Sequence, residues 1–511
     1  MSLFGLEIGK RSIMSQQTAL EVTGHNIANT NTPGYTRQIP NLVTTKPYHT
    51  PTLTNNTKVG QLGTGVMVAD IQRIRDSFLD QQIRNEAKTS GYWSSIQDAL
   101  AKIEVILNEP SNDGLRAVMD MYWESWQDLV AHPESEAVRS TVAERGMALA
   151  DAFNHMHKQL LELREDLNAS VKIKVDEINS IATQIADLNL QILSIKIAGK
   201  QPNDLEDKRD LLLDQLSEIV DIKTFVDHNG MISVQIGGRT LVQGRDYTLL
   251  STVQDSKGMH MVIWDDTKTR AQIESGELRG LLDARGKTEF AQEKEPSEYR
   301  EIVPNLIANL NKLAKTIVVK TNELHRTGYS LNNPNGEDPD GINFFDAPVD
   351  PADINSITDW AAYIKVNSVI LDDPQNIAAA TNRTLDDDGN RINFGDARIA
   401  MAIANLKHDF NSTPIAGITN LVTHATVDDF WRSICADVGV KTQEAKRMVT
   451  NQEVLLSQLE SKRQSISGVS LDEELTNMIK FQHAYNAASR FITAIDEAID
   501  VIVNRMGLVG R

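Results

Sequence analysis

The chain is poor in the residues that staple or anchor a protein. One cysteine, Cys435, stands among 511 residues, so no disulfide closes within the chain and no cluster of thiolates holds a metal. Aromatic residues make up 5%, a scarcity that favours extended helix packing over large compact cores. No apolar run approaches the roughly 20 residues that span a bilayer. The N-terminus lacks a basic patch, an apolar core and a small-residue cleavage site in succession, which predicts a cytoplasmic chain or one exported without signal cleavage. Basic residues are outnumbered, 51 Lys and Arg against 70 Asp and Glu, for a net charge of −19. Without a block of Lys and Arg, phosphate binding has no electrostatic footing, so neither a nucleic-acid nor a membrane partner is expected.

Chemical signatures are missing too. There is no G-x-S-x-G, no phosphate loop and no H-E-x-x-H. The acidic loop from Gly336 places Asp338, Asp340 and Gly341 much as a calcium loop does, but its first position is glycine and its twelfth is Ala347 instead of glutamate. Asp386, Asp387 and Asp388 lack the alternating spacing; solvated turns are the reading for both. His155 and His157, two apart on a helix, point to different faces. No pair of carboxylates stands out as acid and base. The expectation is therefore a protein without cofactor, metal or catalytic site.

Length is what the chain has, and 511 residues imply several domains. Its organising stretch is residues 470–506, read as one helix. Leu471, Met478, Tyr485, Ile492, Ile499 and Met506 fall seven apart, with Phe481, Ala488, Ile495 and Ile502 as a second seam interrupted at Glu474. Ser470 and Glu473 have the spacing of a capping box, and Gly507 suits the helix end. Such a rod, roughly 50 Å long at 1.5 Å per residue, leaves an apolar stripe that needs a partner. Near the other terminus Leu6, Ile13, Leu20 and Ile27 again fall seven apart on a helix expected over residues 3–28. Pairing of the two ends follows.

Between them the chain reads as follows. Thr32-Pro33-Gly34-Tyr35 fits a type II turn, and Asn29 a helix end. Extended chain or an irregular hairpin runs to about residue 64, then a strand through Val66, Val68 and Ile71. Helices are expected over 78–108 and 114–130, the latter burying Tyr122, Trp123 and Trp126. A rod over 135–197 carries Val171, Ile178, Ile185 and Ile192 on one seam, as a coiled-coil hairpin arm or the spine of an elongated domain. After a helix to about residue 219 the period changes to two, and Asn229-Gly230 signals a hairpin in a small antiparallel insertion. Helix returns over 298–326. Residues 342–400 read as a mixed insertion, with a strand at Ile364, Val366 and Val369 and a short helix over 376–381. Helices follow over 397–410 and 426–462. The expected class is mainly α with inserted β, in four parts: a discontinuous terminal-helix domain (1–66 with 465–511), a long-helix rod domain (67–205, 290–330 and 400–464), a β-rich insertion (206–289) and a second small insertion (331–399).

Asn26-Ile-Ala-Asn29 followed by Thr32-Pro33-Gly34-Tyr35 resembles the signature of the bacterial flagellar axial proteins, the rod, hook and hook-associated proteins. Gly63-Thr-Gly65-Val66, Arg73-x-Arg75-Asp76 and the C-terminal rod are similar to the same family. The turn motif together with the rod over 135–197 resembles its hook-associated members at the hook–filament junction, as does Ser275-Gly-Glu-Leu-Arg-Gly-Leu-Leu282. The resemblance implies a nonenzymatic, elongated, flagellin-like or hook-like subunit with outward-facing insertions. It would be exported by the flagellar type III apparatus without signal cleavage and would assemble with copies of itself in a ring or helical array. Other implied partners are the hook protein, a second junction protein, the filament, and an export chaperone at the C-terminal helix. The implied assembly interface is Leu6, Ile13, Leu20 and Ile27 with Leu471, Met478, Phe481, Tyr485, Ile492, Ile495, Ile499 and Ile502. Another axial subunit (hook or flagellin), a cytoplasmic coiled-coil scaffold, and an enzyme acting on wall or glycans are the alternatives.

Overall fold

A computed structural model describes residues 3–47, 63–111, 114–227, 229–288, 300–332, 339–382, 395–409 and 415–502. Helix α1 (Leu3–Ala28) leads through a turn to β1 (Gln38–Thr44), which pairs antiparallel with β2 (Val66–Arg73). The stretch expected as extended chain or irregular hairpin thus contributes β1, and its pairing with β2 shifts register between Asn41 and Leu42. Helix α2 (Ser77–Leu107) starts at Asp76, whose carboxylate accepts from the amides of Phe78 and Leu79. Helices α3 (Leu115–Ala131), α4 (Glu136–Ile197) and α5 (Asn203–Ile219) follow.

Helix α4 has 62 residues, roughly 90 Å at 1.5 Å per residue, and acts as a spine. Val171, Ile178, Ile185 and Ile192 are all buried, and the helix packs along its length against α2, α3, α5, α6 (Glu277–Arg285) and α7 (Ile302–His325), so the hairpin-arm alternative does not form. The β insertion lies on this spine as well. Strands β3 (Lys223–Val226), β4 (Ile232–Ile236), β5 (Arg239–Gln243) and β6 (Asp246–Tyr247) make one antiparallel sheet, and β7 (Leu250–Gln254) with β8 (His260–Trp264) a separate hairpin. Three asparagines of α4 fasten them. Asn189 donates to the carbonyls of Ile232 and Gly244 at 2.8 Å each, Asn179 to that of Leu250 at 2.8 Å, and Asn168 to that of Gly258 at 3.0 Å. Each satisfies strand or turn carbonyls that a helix surface would otherwise leave unpaired.

The second insertion carries α8 (Pro351–Ser356), α9 (Trp360–Tyr363) and α10 (Ser368–Asp372). It sends Phe344 and Phe345 into the cluster of Tyr122, Trp123 and Trp126, with Phe344 5.2 Å from Trp126 between ring centroids. The strand expected at Ile364–Val369 is replaced. Val366 forms a single bridge to Phe345, and Val369 belongs to α10, whose first turn Asn367 caps through its side chain. The short helix expected over 376–381 is also absent. A 3-10 turn covers Pro374–Asn376, and the chain beyond is extended because its backbone is taken up by the end of α7. Ala378 donates its amide to His325, and Ala380 bridges Tyr329. Helix α11 (Arg398–Asn405) and two long C-terminal helices, α12 (Val427–Ser467) and α13 (Leu471–Asp500), complete the chain. Residues 336–338 and 386–389 of the acidic loops, and Met506 and Gly507, lie outside the described residues.

Candidate assembly interface

Helices α1 and α13, the first and last of the chain, lie against each other. Glycine makes the approach close. A Cβ at Gly9 would fall 2.6 Å from Ile492 Cγ1, and one at Gly5 2.8 Å from Ile495 Cδ1. Leu6, Ile13, Leu20 and Ile27 are only half-buried. The positions that sink fully are small or polar apart from Val22: Gly9, Ser15, Ala19, Thr23 and Asn26. The seven-residue seam misses this because α1 has two neighbours, with the β1–β2 hairpin taking a second face. Ser15 donates to the Val66 carbonyl and Arg11 to the Thr64 hydroxyl.

On α13 the packing is one-sided. Met478, Phe481, Tyr485, Ile492, Ile495 and Ile499 are half-buried, whereas Leu471 and Ile502 are exposed. Leu475 and Ile479, outside the expected seams, are also exposed and extend Leu471 into a row with four-residue spacing. Among the described residues of α13 only Ala488 and Glu474 are buried. Glu474, expected as an interruption, is 2% exposed and is the polar centre of the pairing. Its Oε1 accepts from Arg37 Nε at 2.8 Å and its Oε2 from Asn26 Nδ2 at 3.1 Å. Arg37 also takes Glu473 at 2.6 Å, which explains why the capping box is not made. Ser470 sits at the N-cap but its side chain caps nothing.

The turn motif builds the other half of this centre. Tyr35 donates its amide to the Thr32 carbonyl at 3.2 Å, and Gly34 has φ +78°, the left-handed value the third position of a type II turn demands. Pro33 fits the preceding position. Asn29 receives the Thr32 hydroxyl at 3.1 Å and donates to the His25 carbonyl. The turn swings Tyr35 back onto α1, where its hydroxyl donates to Asn26 Oδ1 at 2.7 Å. Burial, reinforced by the carboxylates of Asp204, Asp207 and Glu474, raises the phenol's pKa, so Tyr35 stays a donor. Asn26 exchanges bonds with the Gln38 backbone as well, accepting from its amide at 3.0 Å and donating to its carbonyl at 2.8 Å. The buried side chain is thereby fully satisfied.

A second centre, unforeseen from the sequence, lies behind it. Helix α5 lines up Glu206, Asp207, Asp210 and Asp214, and cations arrive from β2, from the segment after it, from α2 and from α12. Arg73 meets Glu206 at 2.8 Å and Asp207 at 2.6 Å; Arg75 meets Asp210 at 3.4 Å; Arg84 and Arg463 meet Asp214 at 2.8 and 2.7 Å. Burial disfavours charge on Asp210, yet Arg75, Arg73, Arg84 and Arg209 outweigh it and hold its carboxyl below the usual range. Thr36, next to the turn motif, donates both amide and hydroxyl to Asp207. The turn and the β1–β2 hairpin that pack on α1 are thus tied to α5 of the long-helix body by ion pairs and hydrogen bonds. The signal available in the sequence was four acids on one stripe of an otherwise amphipathic helix.

The comparisons with known proteins agree in the same direction along the chain. A family model described as "Flagellar hook-associated protein FlgK helical domain" matches residues 100–345. Models for "Flagella basal body rod protein" and "Flagellar basal body rod FlgEFG protein C-terminal" match residues 6–36 and 460–506, the two paired ends. Flagellar hook-associated protein 1 of Bacillus subtilis is 33% identical, covering 100% of this chain and 99% of its own length. The chain belongs to the flagellar hook-associated protein 1 family. The Escherichia coli hook-associated protein 1 is 26% identical over 96% of this chain and 97% of its own. The flagellar hook junction protein FlgK from Burkholderia pseudomallei shares the fold, with a TM-score of 0.58 at 16% identity, covering 76% of this chain and 100% of that one. Membership in the hook-associated protein 1 family favours the junction reading over a hook protein, a flagellin or a cytoplasmic scaffold.

Proposed function

We propose that the chain works by completing its terminal helices with copies of itself. It is a structural subunit of the bacterial flagellum at the junction of hook and filament, and it carries no catalysis. Its α1–α13 pair is the element that enters a ring or helical array, through Leu6, Ile13, Leu20, Ile27, Leu471, Met478, Phe481, Tyr485, Ile492, Ile495, Ile499 and Ile502. The observation that carries this is the one-sided packing of α13. Leu471, Leu475 and Ile479 are each 48 to 55% exposed in the single subunit, a row of apolar side chains that neighbours would cover. The hook protein, a second junction protein and the filament are the neighbours above and below. Before assembly the same helix is covered by a small export chaperone in a helix-in-groove mode, and the chain leaves the cell by type III export without signal cleavage.

Two measurements test this. Mass spectrometry of sheared flagella should find the full chain and miss a chain ending at Ser467; incorporation of the shortened chain would overturn the terminal-helix assignment. Calorimetry should find that a peptide over 468–511 suffices to bind the chaperone. Equal affinity of the shortened and intact chains would place the chaperone on another surface.

A further inference from the structure

One cavity of about 670 Å³ carries four cationic side chains in its lining. It opens where α4, the turn before β8, α7 and the second insertion converge, and Arg164, Lys257, Lys312 and Lys315 line it. Two carboxylates, Glu165 and Asp359, share the lining.

Lys315 is the informative member. It is 4% exposed, with nearly all of its side chain packed away from bulk water. Its ammonium donates to the Asn355 amide oxygen at 2.9 Å, which leaves the charge itself unneutralised. That oxygen is shared, since it also accepts from the Thr419 amide at 3.1 Å. Arg164 is half-buried. Its guanidinium donates to the carbonyls of Arg285 and Lys287, and among the described residues no carboxylate pairs with it at ion-pair distance, Asp255 and Glu301 acting on it from farther off. Burial lowers the pKa of both groups; no carboxylate offsets it at Lys315, whereas Asp255 and Glu301 offset it in part at Arg164. A buried cation without a partner is costly, and structural lysines are usually paired or extended into solvent. Trp360 adds an apolar wall, fully buried beneath the rim.

We propose that this cavity binds a compact oxyanion, a carboxylate or phosphate group, with Lys315 as its principal cation and Arg164 as the second. The ligand supplies the counter-charge that Lys315 lacks and adds to what Asp255 and Glu301 give Arg164.

The test is isothermal calorimetry on the full chain with citrate and with inorganic phosphate, against sodium chloride at matched ionic strength. One-site binding by either anion, absent with chloride, is the expected result. Citrate alone would assign a carboxylate and phosphate alone a phosphoryl group. Lys315→Met keeps the stem and removes the charge, and should weaken binding at least tenfold. Arg164→Gln, on a different helix, should weaken it as well and guards against misfolding of the first variant. No binding beyond the chloride control, or equal binding by both variants and the parent chain, would overturn the assignment.

Discussion

Asn26 and Glu474, 448 positions apart, meet in a buried hydrogen bond of 3.1 Å from the amide Nδ2 to the carboxylate Oε2. It joins the turn motif near one terminus to the C-terminal helix near the other, and Arg37 closes it from the side. Asn26→Ala removes bonds to Gln38, Tyr35 and Glu474 together. A buried acceptor left without its donor costs about 1–3 kcal/mol. Hydrogen exchange should show α1 and the start of α13 losing protection while α4 keeps its own. Uniform loss across the chain, or none, would mean that Asn26 does not hold the termini together.

Two glycines of α1 should respond oppositely to the same change. Glycine inside a helix is less favourable than alanine by up to about 1 kcal/mol. Gly24 has open space around its Cβ position, so Gly24→Ala should strengthen α1 in the free subunit. Gly9→Ala would put its Cβ 2.6 Å from Ile492, and the overlap should outweigh the gain in propensity. Protection of α1 amides ranks the two variants, and the reverse order would refute the close α1–α13 approach.

The body of the molecule carries an acid-sensitive residue. His325 is fully buried beside Trp126 and Phe344, donating through Nδ1 to the Ile342 carbonyl and accepting through Nε2 from the Ala378 amide. Burial lowers its pKa from 6.5 to about 4. The neutral ring is therefore the folded form. Its contribution is complete above pH 6.5 and falls as pH drops toward 4, by up to about 3 kcal/mol in all. Melting temperatures of the parent chain should decline across this window more steeply than those of His325→Gln. Parallel profiles would show that some other group governs acid lability.

Long elements were legible because their periodicity is long. The 62 residues of α4 repeat one apolar face often enough that neither a turn signal nor Lys174 hides it, and α1 was bounded at both ends. Residues 342–400 were misread because short segments there are fixed by partners far away in sequence. Ala378 is extended because His325 needs its amide, and no local pattern records that. At the paired termini the heptads located the helices but not the contact. Close approach is made at Gly5 and Gly9, which carry no hydrophobic signal, and specificity by Glu474, which counted against the seam. The arginine–carboxylate centre on α5 escaped for the same reason: charge on a helix reads as solvated surface until arginines from four other segments are brought over it.

The one-sidedness of α13 separates two kinds of assembly defect. Ile492 faces Gly9 of α1, so Ile492→Asp places a carboxylate inside the subunit's own helix pair, where an unpaired charge costs several kcal/mol. Ile479 is 55% exposed and lies on the row with Leu471 and Leu475. Ile479→Asp should leave the helix pair as protected as in the parent chain, because its side chain stays in water until a neighbour arrives. Both variants should fail to join flagella, and both should keep the melting temperature of the long-helix body. Only Ile492→Asp should lose α1 and α13 protection in the free subunit. Flagella that incorporate Ile479→Asp normally would show that the exposed row meets no neighbour, and the array would then have to be held through α1 and the hairpin instead.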